Sequence, residues 1–227
     1  MDYLFKKKSE EEIINGTLLI IDKPYNWSSF DVVKKIRTNI KTIYGIKKIK
    51  VGHAGTLDPL ATGLLLVCTG KMTKKISELQ NQLKTYTGTL ILGSTTPSFD
   101  KETEINNFYN LNHINKKLIN KVLPNFIGEI NQTPPIYSAI KKDGRRLYKL
   151  AREGKKIKIN SRKVFIKKFE ITRFELPEVD FLIECGKGTY IRSIANDFGK
   201  ALKSGAHIKN LRRISSGNYK IKNAFKI

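Results

Sequence analysis

One short stretch of the chain, GHAGTLDPLATG at residues 52–63, surrounds a single carboxylate with small residues. Glycine and alanine let a backbone or a ligand approach closely, and glycine also tolerates positive φ. Pro59 restricts Asp58 to extended or turn geometry, so this acid does not fit the interior of a helix. The run LLLVC at 64–68 follows at once and is typical of a buried strand. The pattern therefore indicates a carboxylate on a loop anchored to a rigid element, suited to a ligand or to catalysis.

A second interpretation of Asp58 remains open at this stage. An Asp-Pro pair is commonly a turn former, and position alone favours that role. The nearby TGK at 69–71 does not form a phosphate-binding loop, because that motif needs glycine at 65 and serine or threonine at 72. Those positions hold Leu65 and Met72.

The net charge of the chain indicates the kind of partner that it binds. Its 227 residues include 43 Lys+Arg and 20 Asp+Glu, a net charge of +23. Such an excess favours a polyanion, most simply a nucleic acid, although a lysine-rich proteome would also raise the charge. Residues 141–168 hold 13 of the basic residues and only two acids. With Tyr137 and Tyr148 nearby, this segment suits phosphates and stacked bases, the alternative being a solvated face.

Other classes of protein find little support. The longest apolar run is much shorter than the ~20 residues of a membrane-spanning helix, and no signal peptide is recognisable. Cys68 and Cys185 lie in apolar runs and are expected to be reduced core residues of a cytoplasmic protein. The three histidines are scattered and no Cys/His spacing fits zinc, so no metal site is predicted.

The periodicities predict an α+β protein with strand and helix signals interleaved. Ser28 and Asp31 have the spacing of a capping box ahead of a helix. Helices are also expected near 76–83, near 111–126 and from Ile191 to Leu202. Strands are expected at 17–22, 64–68 and 84–93 and within 163–176, 179–193 and 207–221. The acidic, turn-rich segment 94–107 is predicted to be a surface loop. Residues 1–16 are expected to form a charged arm, and 17–227 a single domain.

Five blocks of sequence, in order, resemble the TruB family of bacterial tRNA pseudouridine-55 synthases. They are DKPYNWSSFDVV, GHAGTLDPLATGLLLVCTGKMTK, KTYTGTLILG, PPIYSAIKKDGRRLYKLAREG and GTYIRSIANDFGKAL with its continuation GAHIKNLRR. The similarity extends from about residue 17 to about residue 217. It implies a pseudouridine synthase fold, with a central, mixed, mostly antiparallel sheet flanked by helices and loops.

The resemblance also implies a chemistry. The family breaks the N-glycosidic bond of a uridine, turns the uracil and rejoins it through carbon, with no metal, redox step or cofactor. Its catalytic aspartate corresponds to Asp58, acting as nucleophile or as a stabiliser of positive charge on the sugar. An ionised acid in a pocket that excludes water needs a cation, and the family's arginine corresponds to Arg192.

Further site residues follow from the same resemblance. Tyr86 corresponds to the tyrosine that stacks on the target base, Tyr190 to a uridine contact and Leu211 to an apolar wall of the uracil site. His53 corresponds to the histidine that fills the space of the flipped nucleotide. Without the resemblance these residues would be interpreted as ordinary core or loop residues. The basic segment supplies the expected RNA-backbone contacts, namely Lys141, Lys142, Arg145, Arg146 and Arg152.

The resemblance also predicts the partner of the protein, and one alternative function remains open. The partner expected is the T-arm of tRNA, bound by a monomer. Many relatives continue into a PUA-type RNA-binding domain, whereas this sequence stops ten residues after SSG. The alternative function is a catalytically silent RNA-binding or tRNA-folding module, which would have no need of Asp58, Arg192 and Tyr86. A ribosomal-type basic protein is disfavoured by the small-residue loop and the patterned core.

Overall fold

The computed structural model describes residue 5, residues 8–155 and residues 157–227. The helices are α1 (Glu10–Gly16), α2 (Ser29–Tyr44), α3 (Ile76–Asn81), α4 (Lys116–Val122), α5 (Leu147–Arg152) and α6 (Ile191–Ala201). Short 3-10 helices lie at Gly70–Lys75, Leu123–Phe126 and Ile221–Asn223. The strands are β1 (Leu18–Lys23), β2 (Val51–His53), β3 (Ala61–Thr69), β4 (Lys84–Leu92), β5 (Ser94–Thr95), β6 (Asn107–Phe108), β7 (Gly128–Gln132), β8 (Lys141–Lys142), β9 (Arg145–Arg146), β10 (Arg162–Glu175), β11 (Glu178–Cys185), β12 (Ala206–Ser216), β13 (Tyr219–Lys220) and β14 (Phe225–Lys226).

The chain forms two compact units. Unit 1 contains the described residues up to Thr87 together with Leu211–Ile227, and unit 2 contains Gly88–Asn210. In unit 1 the strands follow the order β14-β1-β3-β12-β4, and β2 pairs with β3. The pairings of β1 with β14 and of β3 with β12 are parallel, and those of β3 with β1 and β2 are antiparallel.

Helix α2 covers one face of the sheet of unit 1. Ser28 caps it, and the predicted capping box with Asp31 is confirmed in both directions. The helix ends at Gly45, whose φ of 70° is the left-handed conformation that favours glycine. Its apolar residues Val32, Val33, Ile36 and Ile40 are buried against Leu19, Ile21, Leu65 and Val67 of the sheet. Strand β3 is buried on both faces, because Leu64, Leu66 and Cys68 pack with Leu79 on the other side.

The described part of the N-terminal arm packs against the rest of unit 1. The Tyr44 hydroxyl lies 2.8 Å from the carbonyl oxygens of both Phe5 and Lys8, which share its one hydrogen, and its ring meets Phe5 edge-on. Ile13 of α1 is fully buried, and its carbonyl accepts a 2.9 Å hydrogen bond from Thr69 Oγ1. Residues 1–4, 6 and 7 of the arm lie outside the described residues.

Unit 2 is built on a long antiparallel hairpin. Strands β10 and β11 pair along most of their length, and β7 adds to β10. The C-terminal half of β4 lies beside β11, so the order in this unit is β4-β11-β10-β7. Helix α6 packs on this sheet through Phe198, whose ring lies 5.7 Å from Phe126 and 5.2 Å from Phe169. Aromatic rings at these separations contribute beyond their buried area.

The predicted fold class is confirmed: helices and a mixed, mostly antiparallel sheet make an α+β protein. Cys68 and Cys185 are buried in the core, as predicted. Within the described residues no helix is long and apolar enough to cross a membrane.

The prediction of a surface loop at 94–107 is wrong for its first half, because the side chains of Thr96, Ser98 and Asp100 are buried. Polarity suggested exposure, yet Thr96 and Ser98 are satisfied by the carbonyl of Asp100.

Candidate active site

The loop that carries Asp58 is held at nearly every residue. It enters from β2 and leaves into β3, and the Ala54 amide donates to the Leu66 carbonyl at 2.8 Å. The Ser29 hydroxyl accepts from the Leu57 amide at 2.8 Å and also lies 3.1 Å from the Leu57 carbonyl. A turn closes after the acid, because the Ala61 amide donates to the Asp58 carbonyl at 3.1 Å. The half-buried Asp58 therefore sits on a backbone with little freedom to move.

A buried lysine side chain also holds the Asp58 loop in place. Lys23 is 0 % exposed, and its ammonium donates to the carbonyls of Pro24, Trp27 and Pro59. Burial lowers the pKa of Lys23 to about 8, opposed in part by the negative charge of Asp58 and reinforced by Arg213. At neutral pH the ammonium is charged and ties the turn after β1 to Pro59, the residue next to Asp58.

The pKa of Lys23 predicts a stability that depends on pH. The unfolded state binds more protons than the folded state between about pH 8 and the ordinary lysine pKa of 10.5. The free energy of unfolding should therefore rise over that window relative to a Lys23→Met variant, by about 2–3 kcal/mol. Denaturant unfolding of both proteins at pH 7.5 and pH 10.5 measures it. A stability difference that is independent of pH would contradict this account of Lys23.

Arg213 joins the Asp58 loop to Tyr86. Its side chain lies in β12 and is 1 % exposed. Nε donates to the Leu64 carbonyl at 2.6 Å and Nη2 to the Gly55 carbonyl at 3.0 Å. Nη1 lies 3.4 Å from the Tyr86 hydroxyl, and the guanidinium carbon lies 5.9 Å from the centre of that ring. One buried cation thus positions both the loop and the predicted stacking tyrosine.

His53 and Leu211 belong to the same unit as Asp58. His53 ends β2, and burial together with the charge of Arg213 lowers its pKa, so the ring is neutral at pH 7. Its Nδ1 atom is buried without a hydrogen-bond partner in the part of the chain that the structure describes. Leu211 is buried two residues before Arg213 and pairs with Ala61, the first residue of β3. Unit 1 therefore brings Asp58, Tyr86, His53 and Leu211 onto connected elements.

Unit 2 presents Tyr190 and Arg192 at the start of α6. The buried side chain of Gln132, at the end of β7, clamps the backbone of Tyr190. It accepts from the Tyr190 amide at 2.8 Å and donates to the Tyr190 carbonyl at 3.0 Å. The guanidinium carbon of Arg162 lies over the Tyr190 ring, 5.1 Å from the ring centre. The Ser193 hydroxyl adds a 2.8 Å bond to the Thr133 carbonyl, so the first turn of α6 is fixed to the adjoining chain.

The Arg192 side chain is buried and held by three groups of unit 2. Its Nη1 donates to the Ser98 carbonyl at 3.0 Å and its Nη2 to the Tyr137 carbonyl at 2.9 Å. Its Nε lies 3.5 Å from Asp100 Oδ2, and both side chains are less than a tenth exposed. Asp100 in turn accepts from the Glu102 amide at 2.9 Å. The pairing of Arg192 with Asp58 stays a prediction.

Sequence reasoning missed the residues that position the site. Asp100 fell within the segment predicted to be a surface loop, and no periodicity separated it from its neighbours. Arg213 lies in the block NLRR, but that block drew attention only to Leu211. The block TLLIIDKP did carry a usable signal for Lys23, because it places a lysine between an apolar run and a proline. A lysine that is fully buried at such a position needs several hydrogen-bond acceptors.

The predicted RNA-backbone residues form an exposed basic surface on unit 2. Strands β8 and β9 pair as a hairpin that carries Lys141, Lys142, Arg145 and Arg146, and α5 follows directly. Arg145 pairs with Glu153, and Arg152 with Glu102 at 2.7 Å. Ion pairs this exposed contribute little and can be exchanged for phosphate contacts. Among the described residues no group of three or more His, Cys, Asp or Glu could hold a metal ion.

The chain is similar in sequence to known proteins of one family. A model of the "TruB family pseudouridylate synthase (N terminal domain)" matches residues 41–191. The chain is 59 % identical over 218 residues to tRNA pseudouridine synthase B of Flavobacterium johnsoniae, covering 96 % of this chain and 95 % of the relative. It is 49 % identical over 212 residues to tRNA pseudouridine synthase B of Phocaeicola vulgatus, covering 93 % and 90 %.

A solved structure shows the same fold. The crystal structure of a Cbf5-Nop10-Gar1 complex contains a chain that matches with a TM-score of 0.71 and 29 % identity. The match covers 98 % of this chain and 55 % of the solved one, so the chain spans about half the length of that protein. Fold and sequence thus define an isomerase of the pseudouridine synthase class. Within that class, the chain belongs to the TruB family of pseudouridylate synthases.

Proposed function

We propose that the protein isomerises uridine-55 in the T-loop of tRNA to pseudouridine, with Asp58 as the catalytic carboxylate. The observation that carries the proposal is the immobilised acid in a chain 59 % identical to a tRNA pseudouridine synthase B. A fixed carboxylate provides the proximity that a reaction at the sugar carbon requires. The net charge of +23 supports a tRNA substrate.

The reaction needs no net exchange of atoms with other reactants. The bond from uracil N1 to the sugar C1′ breaks, the uracil turns, and a bond from C5 to C1′ forms. The C5 hydrogen is lost as a proton and N1 gains one, so the isomerisation balances. Asp58 acts as an anion in either mechanism, attacking C1′ or stabilising the positive charge that develops on the sugar.

In the proposed complex the remaining residues hold the nucleoside. Tyr86 stacks on the uracil, Tyr190 contacts the uridine and Leu211 forms an apolar wall. Arg192 pairs with both oxygens of Asp58 and holds the orientation of the carboxylate. The orientation of Arg192 is supported by its bonds to Ser98, Tyr137 and Asp100.

A stacked uridine must leave the T-loop before it reacts. Flipping costs a few kcal/mol, which aromatic stacking and phosphate contacts offset. His53 is proposed to occupy the vacated space, and its neutral ring suits stacking between bases. The basic residues Lys141, Lys142, Arg145, Arg146 and Arg152 are proposed to contact the RNA backbone.

The decisive experiment maps pseudouridine, nucleotide by nucleotide, in an unmodified tRNA transcript incubated with the purified protein. We expect modification at the T-loop uridine-55 and at no other uridine. A transcript with cytidine at position 55 is the matched control and should remain unmodified. Modification elsewhere would contradict the proposed specificity. Tight binding without modification would instead favour the silent RNA-binding module.

A further inference from the structure

Two exposed aromatic side chains stand beside the Asp58 loop. Tyr25 is 51 % exposed on the turn after β1, and Phe30 is 64 % exposed in the first turn of α2. Isolated exposed aromatics are ordinary on protein surfaces. These two differ because the segments that carry them are tied to the loop. Lys23 binds the carbonyls of Pro24 and Pro59, and Ser29 binds Leu57.

Phe30 begins a basic stripe along the outer face of α2. Lys34, Arg37 and Lys41 follow it at four, seven and eleven residues, spacings that return to one face of a helix. All four side chains are exposed. At about 100° per residue they lie within about 60° of one another around the helix axis, whereas Lys35 lies roughly 140° from Phe30. The exposed acid of this helix, Asp31, is engaged by Ser28 in the capping box.

The stripe lies next to the strand that enters the Asp58 loop. Arg37 Nη2 donates to the Val51 carbonyl at 3.4 Å, and Val51 begins β2, which ends at His53. The segment between α2 and β2 continues the positive charge with Lys47, Lys48 and Lys50, all exposed. A strand of RNA whose target nucleotide reaches Asp58 would therefore have aromatic rings and a row of cations immediately beside it.

We infer that this surface, the α2 stripe (Tyr25, Phe30, Lys34, Arg37 and Lys41), binds the unpaired nucleotides that flank the target uridine. The two rings stack on nucleobases, and the cations contact the phosphates. The inference rests on the proposed function for the identity of its RNA. It assigns unit 1 a share of RNA binding in addition to the basic surface of unit 2.

The test is equilibrium binding of the tRNA transcript over a range of salt concentrations. Phe30→Ala should weaken binding about tenfold, the effect of losing one base stack. Phe30→Leu, which keeps an apolar side chain without the ring, should weaken it similarly. The enzyme concentration giving half of the maximal single-turnover rate should rise by the same factor in both. A Lys34→Gln/Lys41→Gln variant should reduce the slope of log K against log salt by about 1.4–1.8.

Lys35→Gln is the control: it removes one positive charge from the same helix, away from the stripe. It should leave the salt slope at the value of the unmodified protein. Wild-type binding by Phe30→Ala, or the same change of slope per charge removed in Lys35→Gln as in the double variant, would overturn the inference. If the protein binds tRNA through the stripe but makes no pseudouridine, the proposed function fails and the surface stands. If it isomerises uridine and the stripe variants bind normally, only the surface fails.

Discussion

Replacing Asp58 by asparagine should lower the single-turnover rate of uridine isomerisation by at least about 10⁴-fold, the scale seen when one member of a catalytic group is removed. Asparagine has nearly the same shape, but it carries no charge and is a poor nucleophile, so neither proposed role survives. The loop should remain in place, because its anchors involve Ala54, Gly55, Leu57 and Pro59. The rate is measured with excess enzyme on a labelled tRNA transcript.

Binding separates this loss of chemistry from a loss of structure. The affinity of Asp58→Asn or Asp58→Ala for tRNA should stay within a few-fold of the wild-type value, because the proposed phosphate contacts are made by other residues. Asp31→Asn removes the same charge from the same unit and should retain turnover. A near-normal rate for Asp58→Asn would refute the mechanism. A large loss in Asp31→Asn would show that net charge, not the carboxylate itself, governs the rate.

Replacing Asp100 by asparagine should have the second largest effect, and on two measurements. The buried Arg192 would lose its neighbouring carboxylate at 3.5 Å, and breaking a buried ion pair typically costs about 3–5 kcal/mol in the free energy of unfolding. The single-turnover rate should also fall, by about 10²-fold, because a misplaced positioning group is costly in catalysis. The asparagine oxygen can still accept from the Glu102 amide, so the local turn is preserved.

A double-mutant cycle tests whether Asp100 acts through Arg192. The variants Asp100→Asn, Arg192→Gln and their combination are compared by unfolding and by single-turnover rate. Coupling should appear in both measurements, since either single change removes the same pair. Additive losses in the rate would contradict a positioning role for Asp100. A loss confined to stability would leave it only a structural one.

Local sequence patterns were enough to predict the elements that have strong hydrophobic periodicity. The capping box of α2, its buried face and the apolar run of β3 depend on neighbouring residues, and all are found as predicted. The Asp58 loop was recognisable because small residues and proline restrict the backbone locally. The catalytic role proposed for Asp58 came from resemblance to a family, since spacing alone left Asp58 as an ordinary turn former.

Two of the supporting groups, Arg213 and Asp100, could not be predicted, because their partners are distant in sequence. Arg213 binds carbonyls at Gly55 and Leu64, about 150 residues away. Asp100 and Arg192 are also far apart along the chain. Burial of such polar groups is decided by tertiary contacts, which composition and periodicity do not encode. The polar segment 94–107 was therefore assigned to the surface, although its buried hydroxyls and carboxylate find partners inside.

The discontinuity of unit 1 has a consequence for the order of events during synthesis. Unit 2 is an unbroken segment and can fold as soon as Asn210 has left the ribosome. Unit 1 must wait for Leu211–Ile227, which supply β13, β14 and the end of β12. Arg213 lies in this segment, so the nascent Asp58 loop lacks its guanidinium anchor until all of unit 2 has been synthesised. The Asp58 loop therefore receives its final anchor only after unit 2 has been made.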